Sequence, residues 1–230
     1  GTQGFDRNLS SSEIIAQIHL ANRRLLELSQ RSKEEKMLVT NVVFMGMGEP
    51  LRNCDNVIPA VKILLDDYAY GLSKRKVTVS TSGVVPGIEK LSESVDVALA
   101  LSLHACDDRL RTSIIPINKK YPLEVLLAAC KDYLERYDGK SHITLEYVML
   151  NGVNDSEKDA YRLAKIVNRD FNGRAKVNLI PFNPFPTSKY ISTPLERIHA
   201  FASTIRSKQV NVTIRKTRGQ DILGACGQLA

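Results

Sequence analysis

Leu38-Val39-Thr40-Asn41-Val42-Val43-Phe44-Met45 runs directly into Gly46-Met47-Gly48-Glu49-Pro50. The first eight residues are nearly all apolar, the pattern of a strand in a parallel sheet with both faces covered. The next five place two glycines, a carboxylate and a proline where that strand stops. Glycine lets the backbone pass close to a ligand, Pro50 fixes the exit, and Glu49 offers a carboxylate to an amine or to ribose hydroxyls. The same residues also suit a tight turn with a solvated acid. They are not a dinucleotide fingerprint, because Gly46-x-Gly48 lacks the third glycine and the strand-turn-helix context.

Outward from this stretch the hydrophobic period alternates. Upstream, 11–31 reads as a helix, with Ser10, Ser11 and Ser12 available as caps and Ile14, Ile15, Ile18, Leu25 and Leu28 at helical spacing. Downstream come a helix at 57–68, a strand at 76–80, a short helix near 87–91 and a strand at 95–103. A loop, a helix at 123–137, a strand at 142–149 and a helix at 156–168 follow. The series ends with a strand at 176–181, a helix at 195–208 and a strand at 210–215. Repeated strand-helix units imply a parallel α/β fold with right-handed crossovers. Polar or glycine-rich motifs stand after nearly every strand rather than at one crevice, which favours a partial (β/α) barrel over an open sheet.

The 230 residues suffice for one core, and 1–230 is expected to be one catalytic domain. With 43% hydrophobic and 25% charged residues the composition is globular, and no apolar run approaches the ~20 residues that cross a bilayer. No secretory leader is visible, and a cytoplasmic monomer is expected. The net charge of +7 favours anionic partners, with basic clusters at Lys74-Arg75-Lys76, Lys119-Lys120 and Arg215-Lys216 with Arg218. Cys54, Cys106, Cys130 and Cys226 form no Cys-x-x-Cys pair and no metal-ligand spacing, so no residue here is assigned to a metal. Cys130 lies in a helical apolar pattern and reads as buried filler. Cys54 and Cys106 follow strand ends where exposure is open. Cys226 stands on a glycine-rich tail, presented rather than packed.

Three further strand ends carry polar groups. Val79-Ser80-Thr81-Ser82-Gly83 offers hydroxyls to a ligand or to the cap of the next helix. Ser102-Leu103-His104 sets Ser102 and His104 on one side of an extended chain, without specifying a catalytic triad. Asn183 lies between prolines that restrict its backbone, so its amide is suited to reading a heterocycle edge; a rigid loop packed by Phe182 and Phe185 is the plainer account. Four such ends in succession make a small-molecule pocket.

The motifs Gly46-Met47-Gly48-Glu49-Pro50-Leu51, Val79-Ser80-Thr81-Ser82-Gly83, Ser102-Leu103-His104, Pro116-Ile117-Asn118-Lys119-Lys120-Tyr121 and Glu146-Tyr147-Val148-Met149-Leu150 occur in that order. Asn178-Leu179-Ile180-Pro181-Phe182-Asn183-Pro184, Arg215-Lys216-Thr217-Arg218-Gly219 and Ala225-Cys226-Gly227-Gln228-Leu229-Ala230 follow. Together, over the whole length, they resemble the radical S-adenosylmethionine RNA methyltransferases that methylate C2 of adenine in 23S ribosomal RNA and transfer RNA. The resemblance implies that Gly48 and Glu49 meet the methionine amine end of S-adenosylmethionine, that Ser80, Ser102, Leu103 and His104 contact the same ligand, and that Asn183 meets its adenosyl portion. Cys226 corresponds to the catalytic cysteine that becomes S-methylated.

That family carries a Cys-x-x-x-Cys-x-x-Cys motif immediately before the equivalent of Gly1, holding a 4Fe-4S cluster; it does not occur in these residues. The expectation is a carboxy-terminal portion of such an enzyme, lacking its first barrel strand, cluster loop and amino-terminal accessory domain, with the cluster cysteines and a resolving cysteine upstream. The resemblance further implies that one S-adenosylmethionine methylates Cys226 and a second supplies radical chemistry, with 23S ribosomal RNA and transfer RNA as partners and an electron donor such as flavodoxin. Two alternatives stand beside it. One is the sister activity at adenine C8, which confers antibiotic resistance. The other is a noncatalytic RNA-binding fragment, if the protein starts at Gly1.

Overall fold

The computed structural model describes residues 4–29, 38–137, 143–185 and 188–216. Cys226, Arg218, and the rest of the carboxy-terminal motif from Thr217 onward lie outside them.

Helix α1 (Ser11–Ser29) opens with a reciprocal cap. Ser10 Oγ accepts the Glu13 N–H at 3.3 Å, and Glu13 accepts the Ser10 N–H at 2.8 Å. Six strands follow, β1 (Val42–Phe44), β2 (Val77–Thr81), β3 (Ala98–Ser102), β4 (Ile143–Met149), β5 (Ala175–Pro181) and β6 (Val212–Ile214). They lie side by side in chain order, every neighbouring pair parallel. Helices α2 (Cys54–Leu65), α3 (Val85–Ser94), α4 (Asp108–Ile114), α5 (Leu123–Arg136), α6 (Glu157–Phe171) and α7 (Leu195–Ser207) supply the crossovers. Consecutive helices α1 with α2, α2 with α3, α5 with α6 and α6 with α7 are packed together, and α3 also meets α5.

The register sorts the side chains. Leu99, Leu101, Ile143, Leu145, Tyr147, Val177 and Leu179 share one face, and all are fully buried. Burying an aliphatic side chain of this kind contributes about 1.5–3 kcal/mol, so this face and the helices against it form the core. The opposite face carries Val43, Ser80, Ser102, Thr144, Glu146, Lys176, Asn178 and Thr213, the alternate residues of the same strands. Its polar members are joined: Thr213 Oγ1 donates to Asn178 Oδ1 at 3.0 Å, and Asn178 Nδ2 donates to Glu146 Oε2 at 2.8 Å.

This polar face is the concave one. Six strands spaced ~4.8 Å apart put the edges of a flat sheet ~24 Å apart. Yet Arg215, just after β6, brings Nη1 to 3.7 Å from Sδ of Met45, just after β1. Two side chains cannot span that gap unless the sheet curls, and both belong to the polar face. The result is a partial (β/α) barrel, as expected.

Several boundaries move by a few residues, and three differences from the sequence reading have a clear physical cause. β1 is three residues, and Val43 is 50% exposed. The apolar run from Leu38 suggested two covered faces, but β1 is the edge of the described sheet and its inner face is open. The helix expected at 57–68 spans Cys54–Leu65. It ends where Asp66 Oδ1 accepts the Tyr68 N–H at 2.8 Å and the Asp66 carbonyl accepts the Gly71 N–H at 2.8 Å, a side-chain turn that competes with helix. The loop expected before 123 contains α4, capped by Asp107, whose Oδ1 accepts the Leu110 N–H at 2.9 Å.

Candidate active site

In a parallel barrel the connections leaving the strands meet at one rim. Gly46 and Gly48 stand there with φ of +140° and +78°, values that L side chains rarely adopt. Nothing lies within 4 Å of where a Cβ would sit at either residue, so both glycines border open space. Glu49 anchors the loop behind them. Its Oε1 accepts the Leu51 N–H at 3.1 Å, capping the short 3-10 helix Pro50–Arg52. Its Oε2 accepts both the backbone N–H and the hydroxyl of Ser82 at 2.7 Å. A carboxylate has about four lone-pair sites. These bonds use three, so Glu49 is a structural anchor with acceptor capacity to spare, rather than simply a solvated acid.

The hydroxyls after β2 divide their work. Ser80 is buried on the concave face in register with Ala100. Thr81 Oγ1 accepts the Gly83 and Val84 N–H groups at 3.0 and 3.3 Å, closing the turn, and Ser82 holds Glu49. None caps α3, which begins after Val84 without a side-chain cap.

Ser102 ends β3, in register with Glu146. Leu103 sends its side chain into the core, fully buried, and presents only backbone to the rim. His104 does not continue the strand: its φ is +59°, so the alternation that would align it with Ser102 stops one residue earlier. Its Nδ1 accepts the Val148 N–H at 3.2 Å, and its carbonyl accepts from Asn154 Nδ2 at 2.8 Å. Burial, aided by the nearby Arg111 cation, pushes its pKa down to about 4. The ring is therefore neutral near pH 7 and braces β3 against β4. Asn183 follows β5 and is buried, and in the same loop Phe182 lies edge-on to both Phe185 and Tyr190.

Residues to which the sequence assigned no role tie these ends together. Arg111 of α4 is completely buried. It donates from Nη2 to the carbonyls of Ser82 at 2.7 Å and Ser102 at 3.0 Å, from Nε to the Leu103 carbonyl at 3.1 Å, and from Nη1 to Asn118 Oδ1 at 2.7 Å. Burial lowers its pKa to about 10, so it stays a cation. Asn154, also fully buried, donates to the His104 and Val148 carbonyls and accepts the Leu150 N–H at 2.7 Å. Glu146 has its pKa raised, chiefly by burial. The Asp107-Asp108 pair ahead of Leu110 and Ile114 at helical spacing is a local mark that could have found α4, but nothing local marks Arg111 as turned inward.

Cys54 and Cys130 are buried, and Cys106 is partly so. Burial raises all three thiols above their ordinary pKa, that of Cys130 to about 12. Among the described residues no group of His, Cys, Asp and Glu can hold a metal ion, so these residues do not fit an iron-sulfur cluster. The open glycine backbone, the Glu49 carboxylate and the polar concave face do fit an amphipathic, charged ligand such as S-adenosylmethionine. Among the described residues no helix is long and apolar enough to cross a membrane.

The chain is similar to known proteins in sequence and in shape. The crystal structure of a radical SAM methyltransferase from Sphaerobacter thermophilus superposes with a TM-score of 0.89 at 41% identity, covering 99% of this chain and 64% of that one. The chain thus spans just under two thirds of that protein's length. A domain of pyruvate-formate lyase-activating enzyme from Bacteroides vulgatus superposes with a TM-score of 0.58 at 18% identity, covering 76% of this chain and 99% of that one, a likeness of fold alone. Residues 11–164 match the family model of the Radical SAM superfamily, and the chain belongs to that superfamily.

Proposed function

We propose that this chain is the barrel of a radical S-adenosylmethionine methyltransferase that methylates C2 of adenine in 23S ribosomal RNA and transfer RNA, with Cys226 carrying the methyl group. The observation that carries the cofactor reading is the Gly46-Met47-Gly48-Glu49 loop, open to the rim and anchored to β2 through Ser82. The 41% identical neighbour is a radical SAM methyltransferase, which supports the reaction class. The resemblance of the ordered motifs supports the RNA target and the role of Cys226.

S-adenosylmethionine, when bound, supplies the transferable methyl group at its sulfonium centre. Gly48 and Glu49 would hold its amino-acid end, with Ser80, Ser102, the Leu103 backbone, His104 and Asn183 around the remainder. His104, neutral near physiological pH, adds no positive charge beside a cationic ligand. Buried behind the rim, Cys54 and Cys130 are withheld from alkylation, because the thiolate is the nucleophile and burial suppresses it. That selectivity suits a protein that directs methylation to one thiol. The described residues offer no cluster ligands. An electron donor such as flavodoxin belongs to the same proposal.

The test is methyl transfer by the full-length enzyme to RNA, using S-adenosylmethionine labelled in its methyl group, with the product mapped by mass spectrometry. Label at adenine C2 that disappears in Cys226→Ala is the expected result. Label at C8 would replace this reading with the sister activity, and full transfer by Cys226→Ala would remove the carrier role.

A further inference from the structure

Arg111 presents an energetic problem. A buried cation is expensive to desolvate, and apolar replacements of buried charges are often neutral or stabilising. The four acceptors around its guanidinium are neutral: three backbone carbonyls and one amide oxygen. Compensating charge lies one residue further out. Asn118, which accepts from Arg111, donates from Nδ2 to Asp108 Oδ1 at 2.8 Å, and the same oxygen accepts the Leu123 N–H at 2.8 Å. Stability alone gives little reason to keep such a group. Its distribution of bonds gives a better one.

The guanidinium is a rigid planar fork, so the groups it holds are fixed relative to one another. Here they belong to three separate segments: the turn after β2 at Ser82, the exit of β3 at Ser102 and Leu103, and the 3-10 turn at Asn118. Through Ser82 the fork sets the position of Glu49, whose Oε2 rests on the Ser82 N–H and hydroxyl. Through Leu103 it sets where the chain leaves β3 for the left-handed backbone of His104. The fit is close. A Cβ at Gly83 would stand 3.0 Å from the Leu126 side chain and 3.4 Å from Arg111 Nη2, so the turn packs directly on the guanidinium.

We propose that Arg111 is the positioning residue of the S-adenosylmethionine pocket: a buried fork that locks the β2 and β3 exits together and thereby holds Glu49, Ser102, Leu103 and His104 in one binding geometry. It touches no ligand itself. This rests on the reading of the rim as an S-adenosylmethionine site, and it does not depend on which RNA atom is methylated.

The experiment measures binding of S-adenosylmethionine to the full-length enzyme by equilibrium dialysis, beside its thermal unfolding, for Arg111→Lys and Asn118→Ala. Lysine keeps the charge but offers one nitrogen in place of a fork. Asn118→Ala leaves the arginine and removes one of its four acceptors, so it reports even where Arg111→Lys fails to fold. Leu163→Ala, in the core of α6 away from the rim, is the control for general destabilisation. Loss of the partner that orients a metal ligand typically costs about 10–100-fold in affinity, and a fork that orients several groups of a binding site is expected to act on the same scale. Both variants are expected to fall in that range while folded, and Leu163→Ala is expected to bind as the wild type does. Folded variants that bind within twofold of wild type would overturn the proposal. Wild-type protein that binds S-adenosylmethionine but leaves adenine C2 unmethylated would overturn only the functional reading; failure to bind it at all would overturn both.

Discussion

Glu49 and Ser82 are joined twice at one oxygen: Oε2 of Glu49 accepts the Ser82 backbone N–H and its hydroxyl, each at 2.7 Å. The bond spans 33 residues of sequence and fixes the glycine loop after β1 to the turn after β2. Hydrogen bonds to charged groups contribute about 1.5–3 kcal/mol, and partial exposure of Glu49 puts this pair at the lower end. Glu49→Gln retains one acceptor oxygen and sets an NH2 group against a donor. It is expected to cost about 1 kcal/mol in urea unfolding and to weaken S-adenosylmethionine binding in equilibrium dialysis. Ser82→Ala, which keeps the backbone N–H, should show the smaller loss of the two.

Gly87 lies against the same loop from the other side. A Cβ there would sit 2.6 Å from Leu51 Cβ and 2.7 Å from the Leu51 carbonyl oxygen, and neither atom is the end of a flexible side chain. In an exposed helix, Gly→Ala gains about 1 kcal/mol. Here overpacking should reverse the sign, costing about 1–3 kcal/mol. Gly87→Ala should therefore lower the melting temperature and displace Pro50–Arg52, and with it Glu49.

His104 predicts a pH dependence. Its folded pKa is about 4, below the ordinary histidine value of 6.5, so between those values the unfolded chain binds more protons than the folded one. Stability must then rise with pH across this window. The contribution is complete above about 6.5 and is lost progressively as the pH falls toward about 4. Asn tolerates a left-handed backbone and keeps an acceptor. Melting temperatures from pH 4 to 8 should show a shallower acid slope for His104→Asn than for wild type; parallel slopes would show that His104 is not the titrating group.

The proposed RNA substrate makes a separate prediction at the basic carboxy-terminal segment. Arg215 and Lys216 are exposed at the β6 end, and Arg218 follows outside the described residues. Each phosphate contact contributes close to one unit to the dependence of binding on salt. The double reversal Lys216→Glu with Arg218→Glu should weaken RNA binding and reduce the salt slope by about two. An unchanged slope in filter binding from low to physiological salt would place the phosphates elsewhere.

Local pattern was enough for the order of the strands and of every helix but the short α4. Short apolar or alternating runs set between stretches of period 3.6 located the six described strands, because a buried strand shows apolar residues on one face or both. The apolar run into Gly46 and Gly48 marked the first rim loop, since positive φ there requires glycine. Residues whose importance lies in their partners were not legible. Arg111 resembles a solvated charge among Asp107, Asp108 and Arg109 until α4 turns it inward. Asn154 has no local mark at all, because its partners include His104, 50 residues away.

By itself, then, the sequence determined a parallel α/β chain with polar groups waiting where its strands stop, since periodicity and backbone preference are local properties that neighbouring residues impose on one another. Only the tertiary structure decided which face is concave, that Glu49 is spoken for by Ser82, that His104 is neutral, and that one buried guanidinium gathers two strand exits. Each of those depends on desolvation and on bonds between distant segments, and neither exists until the sheet has curled and the helices have closed over its apolar side.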